Sequence, residues 1–264
     1  MDHQMLKQFA MEMAQDNGRL LIERMDQVEI TEQKDVRDIC TELDLWVEQN
    51  IIKKIKSAFP GHGIISEELG EIAPGSEYVW IIDPIDGTKH FAQNVPLFTI
   101  SIALAFKGEL TVGVVFDPST HHLYHAHKGG GAFLNNKRIS VSNTAQIDKA
   151  FIHLDTSKLK SLKKKDATQA LRRLNALITN SYRIRTLGVG SLGLCYLAQG
   201  AYDAYFDLTG KTKYVDIAAG TVIVEEAGGY VRDLDGSPVS QQTSHLFASN
   251  HNLHAPLQKM LLDL

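Results

Sequence analysis

The sequence predicts a layered α+β fold, and three observations carry that reading. A helical stretch opens the chain, a series of short apolar strands joined by tight turns follows, and the second half alternates helix with strand. The first 27 residues read as a helix, with Leu6, Phe9, Met13, Leu20, Leu21 and Ile22 mostly at helical spacing among Asp, Gln and Glu. A second helix follows Thr41, read as its N-cap with Asp44 three residues on; Leu45, Val47, Ile51, Ile52 and Ile55 are its apolar positions and Pro60-Gly61 ends it. GIIS and YVWII are apolar runs bounded by turn residues and read as buried strands. LFTISIALAF and ELTVGVVFD form a hairpin at Lys107-Gly108, and LYHAHKGGGAFLNNKRISV adds two strands around a glycine turn. The second half predicts a helix near Ala167–Ala176, a strand near Tyr182–Thr186 and a helix near Ser191–Ala198. A strand at Ala201–Phe206, a helix near Asp216–Ala227 and a strand at Tyr230–Arg232 follow. No repeat or linker divides the chain, so 1–264 reads as one compact domain with approximate halves 1–150 and 151–264; Ser157–Asp166 is the best surface join.

Composition excludes several classes. The net charge is −4, which argues against a protein that grips nucleic acid with its whole surface. Two cysteines, Cys40 and Cys195, make neither a disulfide framework nor a four-thiolate zinc site, and both lie in apolar segments as buried thiols. Charges interrupt the N-terminal stretch as no signal peptide would allow, and FAQNVPLFTISIALAF is too short and polar for a membrane span. The expectation is a soluble, cytoplasmic protein with no membrane partner.

Three acidic pieces stand out: Glu67-Glu68 after GIIS, Asp83-Pro84-Ile85-Asp86-Gly87-Thr88 after YVWII, and Asp216 at the start of DIAAGTVIVEEAGG. A buried strand carries Asp83 to a sheet edge, and a tight turn three residues long lets Asp86 converge on it. Gly87 is free to take a positive φ and expose its amide, and Thr88 supplies a hydroxyl. Convergent carboxylates repel unless a cation sits between them, and an oxygen-only donor set suits Mg²⁺, Mn²⁺ or Ca²⁺ rather than zinc. Glu67 and Asp216 complete enough carboxylates for two cations, and the Gly87 and Thr88 amides are placed for a phosphate oxygen. A lone D-P-x-D-G is usually an ordinary turn; the strand before it and the separate acidic elements tell against that reading here.

WIIDPIDGTKHF, ISEELG and YVDIAAGTVIVEEAGG together resemble the inositol monophosphatase family, and GVVFDPSTHHLYHAHKGGGAFLNNKRISVS and RTLGVGSLGLCYLAQGAYDAYFD extend the resemblance over nearly the whole chain. The resemblance implies a layered αβαβα sandwich, usually dimeric, and a lithium-sensitive phosphatase using two to three Mg²⁺ ions, with Mn²⁺ a substitute and Ca²⁺ or Li⁺ inhibitory. It implies Glu67, Asp83, the Ile85 carbonyl, Asp86 and Asp216 as metal ligands. Glu67 and Thr88 would activate the attacking water, with Asp44 supporting Thr88. Gly87, Thr88, Ser191 and Asp207 would contact substrate; Lys89, which departs from the common pattern, is placed to reach a phosphate as a point charge, with a solvent-facing or carboxylate-paired lysine the alternative. The implied substrate is inositol monophosphate or a related small polyol or sugar phosphate. Alternatives are a nucleotide 3′-phosphate or histidinol phosphate, or a partner role with RNA polymerase or ribosome maturation.

Some positions depart from the family pattern. Lys89-His90 replace Thr-Asn after DGT, Val215 replaces a Trp, and DLTGKTKYVD is about two residues longer than its counterpart. Lys211 and Lys213 there read as a solvated loop, with recognition of an extra phosphate the alternative. His121, His122, His125 and His127 read as exposed hairpin histidines rather than a metal pair, and Lys158, Lys160, Lys163, Lys164 and Lys165 as a solvated face rather than a contact for RNA. Glu225 and Glu226, about two turns from Asp216, read as structural.

Overall fold

The computed structural model describes residues 2–24, 30–33, 39–157 and 159–262, with the side chains of 24, 30–33, 39–41 and 262 left aside. In chain order the elements are α1 (His3–Arg24), β1 (Ile30–Gln33), β2 (Ile39–Thr41), α2 (Glu42–Ala58), β3 (Gly63–Ser66), β4 (Gly70–Ile72), β5 (Tyr78–Asp86) and α3 (Thr88–Ala92). β6 (Thr99–Phe106), β7 (Glu109–Asp117), β8 (His122–His127), β9 (Gly131–Leu134), β10 (Lys137–Arg138) and β11 (Phe151–Asp155) follow. The chain continues through α4 (Lys164–Asn180), β12 (Arg183–Arg185), α5 (Gly190–Ala198), β13 (Ala204–Asp207), α6 (Tyr214–Glu226), β14 (Tyr230–Arg232), β15 (Leu246–Ser249) and α7 (His254–Leu262).

Two large sheets organise these elements, beside a two-stranded antiparallel pair of β1 and β2. The larger has eight strands in the order β10-β9-β8-β7-β6-β5-β3-β4, all antiparallel except the β3–β5 pair. The smaller has five, β12-β11-β13-β15-β14, parallel around β11 and antiparallel around β15. Alternation along the strands sends large side chains to one face of the larger sheet: Trp80, Ile82, Ile100, Ile102, Leu104, Val112 and Val114 pack under Leu6, Met13, Val47, Ile51 and Ile55 of α1 and α2. The opposite face carries Ile81, Ala103, Ala105, Val115 and Ala126, packed with α5, α6 and Tyr205, Leu246 and Ala248 of the smaller sheet. The smaller sheet's far face buries Ile152, Leu154, Phe206 and Phe247 with Leu177 of α4 and Leu257 and Leu261 of α7. The layers are therefore αβαβα.

The central helices have sheet on both sides, so α6 is apolar nearly all round and every residue from 217 to 224 is buried. Small residues set the spacing. A Cβ on Gly113 of β7 would lie 2.3 Å from the Ala219 carbonyl oxygen, and one on Gly220 would lie 2.6 Å from Leu194 Cδ1. At the other end of α6, Glu226 accepts the Gly129 and Gly131 amides at 2.7 Å each, which fixes the glycine turn between β8 and β9 and gives Glu226 a structural role.

Several expectations change in detail. α4 begins at Lys164 and runs to Asn180, longer than 167–176 at both ends, because its polar turns are solvent-facing and carry no apolar periodicity. Lys160, Lys163, Lys164 and Lys165 are exposed, as a solvated face requires; Lys158 lies outside the described residues. His125 is not an exposed hairpin residue: it is buried, stacks on Phe133 and hydrogen-bonds the Asn135 carbonyl at 2.9 Å. Cys195 is a buried thiol. The Cys40 thiol, the Thr41 cap and residues 25–27 of the first helix fall outside what is described. No helix among the described residues is long and apolar enough to cross a membrane.

Gly113→Ala is expected to lower stability by about 1–3 kcal/mol, because β7 and the α6 backbone must separate to admit a methyl group. Gly61→Ala, with no atom within 4 Å of its Cβ position, should change stability by no more than about 0.5 kcal/mol. Urea denaturation of both variants checks the contrast.

Candidate active site

The site starts at the end of β5. Asp83 pairs with Ser101 of β6, but Asp86 pairs with Thr99, so β5 carries one extra residue between them. In a regular strand, residues three apart point to opposite faces; the bulge turns both carboxylates to the same cleft. Pro84 has no N–H to give, and the Ile85 amide donates to Asp83 Oδ1 at 3.1 Å. Gly87 then takes φ +97°, where a Cβ would lie 2.6 Å from the Leu97 carbonyl oxygen, so glycine is required. The His90 and Phe91 amides close on the Gly87 carbonyl to begin α3, and the Thr88 hydroxyl donates to the Ile85 carbonyl at 2.9 Å.

Other elements supply the remaining acids. Asp216 sits in the first turn of α6, its amide donating to the Lys213 carbonyl at 3.2 Å. Glu67 follows β3 on a turn organised by Glu48, a fully buried carboxylate of α2. Glu48 accepts from the Ser66 hydroxyl at 2.8 Å, the Leu69 amide at 2.8 Å and the Glu68 amide at 3.0 Å. Burial holds the Glu48 carboxyl above the ordinary range, and these donors oppose that rise. Carboxylate oxygens of Glu67, Asp83 and Asp216 all lie within 4.8 Å of one another. At an effective dielectric constant of ~20, each such pair repels by about 3 kcal/mol when ionised.

The electrostatics follow. Burial pushes the Asp83 carboxyl well above the carboxylate range, and the charges of Glu67, Asp86, Asp216 and Asp44 push it further. Asp44 is buried in α2, close enough to add to that field. Asp86 is pushed up to about 6, chiefly by burial, against hydrogen bonds from Ser191 that favour its charged form. Ser191 corrects an expectation. It is fully buried at the start of α5, its amide and hydroxyl reach Asp86 Oδ2 at 2.7 and 2.6 Å, and its hydroxyl shares a bond with Thr99 at 2.6 Å. It therefore positions Asp86 and does not face the cleft.

The cleft is lined by Glu67, Asp83, Asp86, Gly87, Thr88, Lys89, Asp155, Asp207, Lys213 and Asp216, among others. Asp207 is buried at the end of β13, accepting the Thr209 amide and hydroxyl on Oδ1 and the Thr212 hydroxyl on Oδ2. The two loop lysines part company, which corrects the reading of both as a solvated loop. Lys211 turns away to the Ser161 hydroxyl at 2.7 Å, whereas Lys213 is only partly exposed and its Nζ donates to Glu67 Oε1 at 2.7 Å. Glu48, Asp155 and the bond between Lys213 and Glu67 have no signature in the local sequence; the polar residues Ser66 and Glu68 on either side of Glu67 are the one local sign that this turn needs an acceptor.

Layers of this kind, with an oxygen-only cluster of acids at the ends of β3, β5 and α6, define a class of αβαβα proteins built around a pocket suited to a hard divalent cation. Within that class the chain belongs to the inositol monophosphatase family, whose model matches residues 2–262. It is 36% identical over 247 residues to a protein of Pseudomonas aeruginosa named Nus factor SuhB, covering 91% of this chain and 90% of that protein. It is 33% identical over 223 residues to an inositol-1-monophosphatase of Mesorhizobium japonicum, covering 84% and 82%. An IMPase structure from Thermotoga maritima superposes with a TM-score of 0.85 at 31% identity, covering 97% of this chain and 96% of that one.

The raised acids set a pH dependence in cation-free buffer. A carboxyl whose folded pKa exceeds its unfolded value stabilises the fold below the unfolded pKa, and that contribution is lost as pH rises through the folded one. For Asp86 the window runs from 3.8 to about 6. In EDTA, Asp86→Asn should therefore match the parent near pH 4 and exceed its stability by about 1–3 kcal/mol at pH 8, read from urea midpoints at the two pH values.

Proposed function

We propose that this chain is a divalent-cation-dependent phosphomonoesterase acting on inositol monophosphate or a related small polyol or sugar phosphate. The convergence of Glu67, Asp83 and Asp216 carries the reading: three carboxylates within 4.8 Å, one buried and pushed toward neutrality, are a donor set incomplete without a cation. Glu67, Asp83 and Asp216, with Asp86 and the Ile85 carbonyl beside them, would hold Mg²⁺ or Mn²⁺, two to three ions in all. Bound there, such ions supply Lewis acidity toward phosphoryl oxygens and lower the pKa of water.

The chain's own groups do the rest. The Thr88 hydroxyl spends its proton on the Ile85 carbonyl, so its oxygen is left to accept a hydrogen bond from an incoming water and aim it. Glu67 takes the proton that the water gives up, and the water attacks phosphorus in line as the bond from phosphorus to the polyol oxygen breaks; the departing alkoxide takes its proton from a second water, and no covalent enzyme intermediate forms. Asp44 supports the Thr88 side of the cleft from α2. The Gly87 and Thr88 amides receive a phosphoryl oxygen, and Lys89 at the rim adds a point charge. Asp207 Oδ2, which accepts once from Thr212, keeps a lone pair for a substrate hydroxyl. In the cell the enzyme would act as a cytoplasmic homodimer.

Relatives named Nus factor SuhB support a second reading, a partner role with RNA polymerase. Asp83→Asn separates the two: polymerase binding that survives in this variant while phosphate release is lost assigns the surface and the cleft to different tasks.

Phosphate release from inositol 1-phosphate, fructose 1,6-bisphosphate, histidinol phosphate and adenosine 3′,5′-bisphosphate, with and without Mg²⁺, tests the primary reading. A Mg²⁺-dependent preference for the inositol compound is expected; silence across all four would overturn it. Asp216→Asn should lower kcat at least ~100-fold with the fold intact by circular dichroism, and near-normal turnover would remove Asp216 from the ligand set.

A further inference from the structure

Lys213 stands where helix electrostatics disfavour it. It is the N-cap residue of α6, its side chain makes no capping bond, and the positive end of the helix dipole opposes a cation there. Its backbone is tied to the site, because the Lys213 carbonyl accepts the Asp216 amide. From that fixed point the side chain crosses the cleft, and Nζ reaches Glu67 Oε1 at 2.7 Å. Glu67 is one of the three acids whose oxygens crowd within 4.8 Å. The lysine side chain is 38% exposed and the glutamate 19%, and both residues line the cleft, so the pair lies at its solvent-accessible side.

We infer that Lys213 is a resident counter-ion that competes with the divalent cation for Glu67. The inference rests on the cation site proposed above. A dication on Glu67 draws off the carboxylate's charge and repels an ammonium a few ångströms away. The two occupants therefore weaken each other, and by linkage each lowers the affinity of the other. Without the dication, the ammonium offsets part of the repulsion among Glu67, Asp83 and Asp216 and keeps the acids folded together. With it, the side chain swings out along its exposed side and leaves the cleft. Lys213 thus sets the cation concentration at which the site fills.

Removing the charge tests this without turnover. Mn²⁺ binding to the full chain, followed by the electron paramagnetic resonance signal of free Mn²⁺ at pH 8, should be at least ~3-fold tighter in Lys213→Met. Lys213→Arg should stay close to the parent. In EDTA, Lys213→Met should melt below the parent, and in saturating Mn²⁺ the two should melt together, so the cation-induced shift is larger in the variant. A merely structural lysine would lower both melting points equally. In a Glu67→Gln background the substitution should no longer tighten binding. Unchanged or weaker Mn²⁺ affinity in Lys213→Met, with the parent binding Mn²⁺, overturns the competition alone. No Mn²⁺ binding by the parent overturns the cation site and this inference with it.

Discussion

Crowding of like charge in a buried place is the constraint on which the rest of this molecule depends. Three carboxylates within 4.8 Å, with Asp86 beside them, repel by several kcal/mol in total, and no local stretch of chain would hold them together unaided. They come from separate elements: Glu67 after β3, Asp83 and Asp86 from β5, Asp216 from α6. Each is restrained by something it did not bring. Glu48 of α2 gathers the turn that carries Glu67, the first turn of α5 grips Asp86 through Ser191, and the amide of Ile85 turns back to Asp83. The packing of two sheets against a shared helical layer supplies the free energy that this arrangement consumes.

That layer explains why small residues recur on one face of the larger sheet. Ala103, Ala105, Gly113 and Ala126 allow α5 and α6 to lie close, while the face toward α1 and α2 is filled by Trp80, isoleucines and valines. The position of Asp216 is inherited from this contact: where the backbone of α6 touches β7 at Gly113, the helix cannot shift without lifting off the sheet.

Much of this could be read from residue order, and the reasons are local. Asp83–Thr88 announces itself through Pro, Gly and the strand before it, and the hairpin at Lys107-Gly108 and the burial of 217–224 follow from periodicity and composition. What escaped depends on contacts between distant segments. Ser191 looks like a polar helix start open to a ligand; only the approach of β5, 105 residues away in sequence, shows its partner to be Asp86. Lys213 and Glu67 are separated by 146 positions, and nothing in either segment names the other. His125 sits in a run of histidines that reads as solvent-facing, yet it is buried against the Phe133 ring and bonded to the Asn135 carbonyl across the next turn. α4 is longer than its apolar pattern because its ends are polar, and β15 and α7 lie in a stretch whose weak apolar pattern gives no firm period.

A helix clamped between two sheets has a consequence for how such a chain diversifies. α6 has no face on which to accept an inserted residue, since one extra position would rotate everything behind it by about 100° and bury charge. Length variation is expelled to the connection that precedes it, 208–213, which borders the cleft. The constraint is thereby divided along a few residues of backbone: the acid at position 216 is fixed by the helix it begins, while the loop leading into it has room to change length and composition.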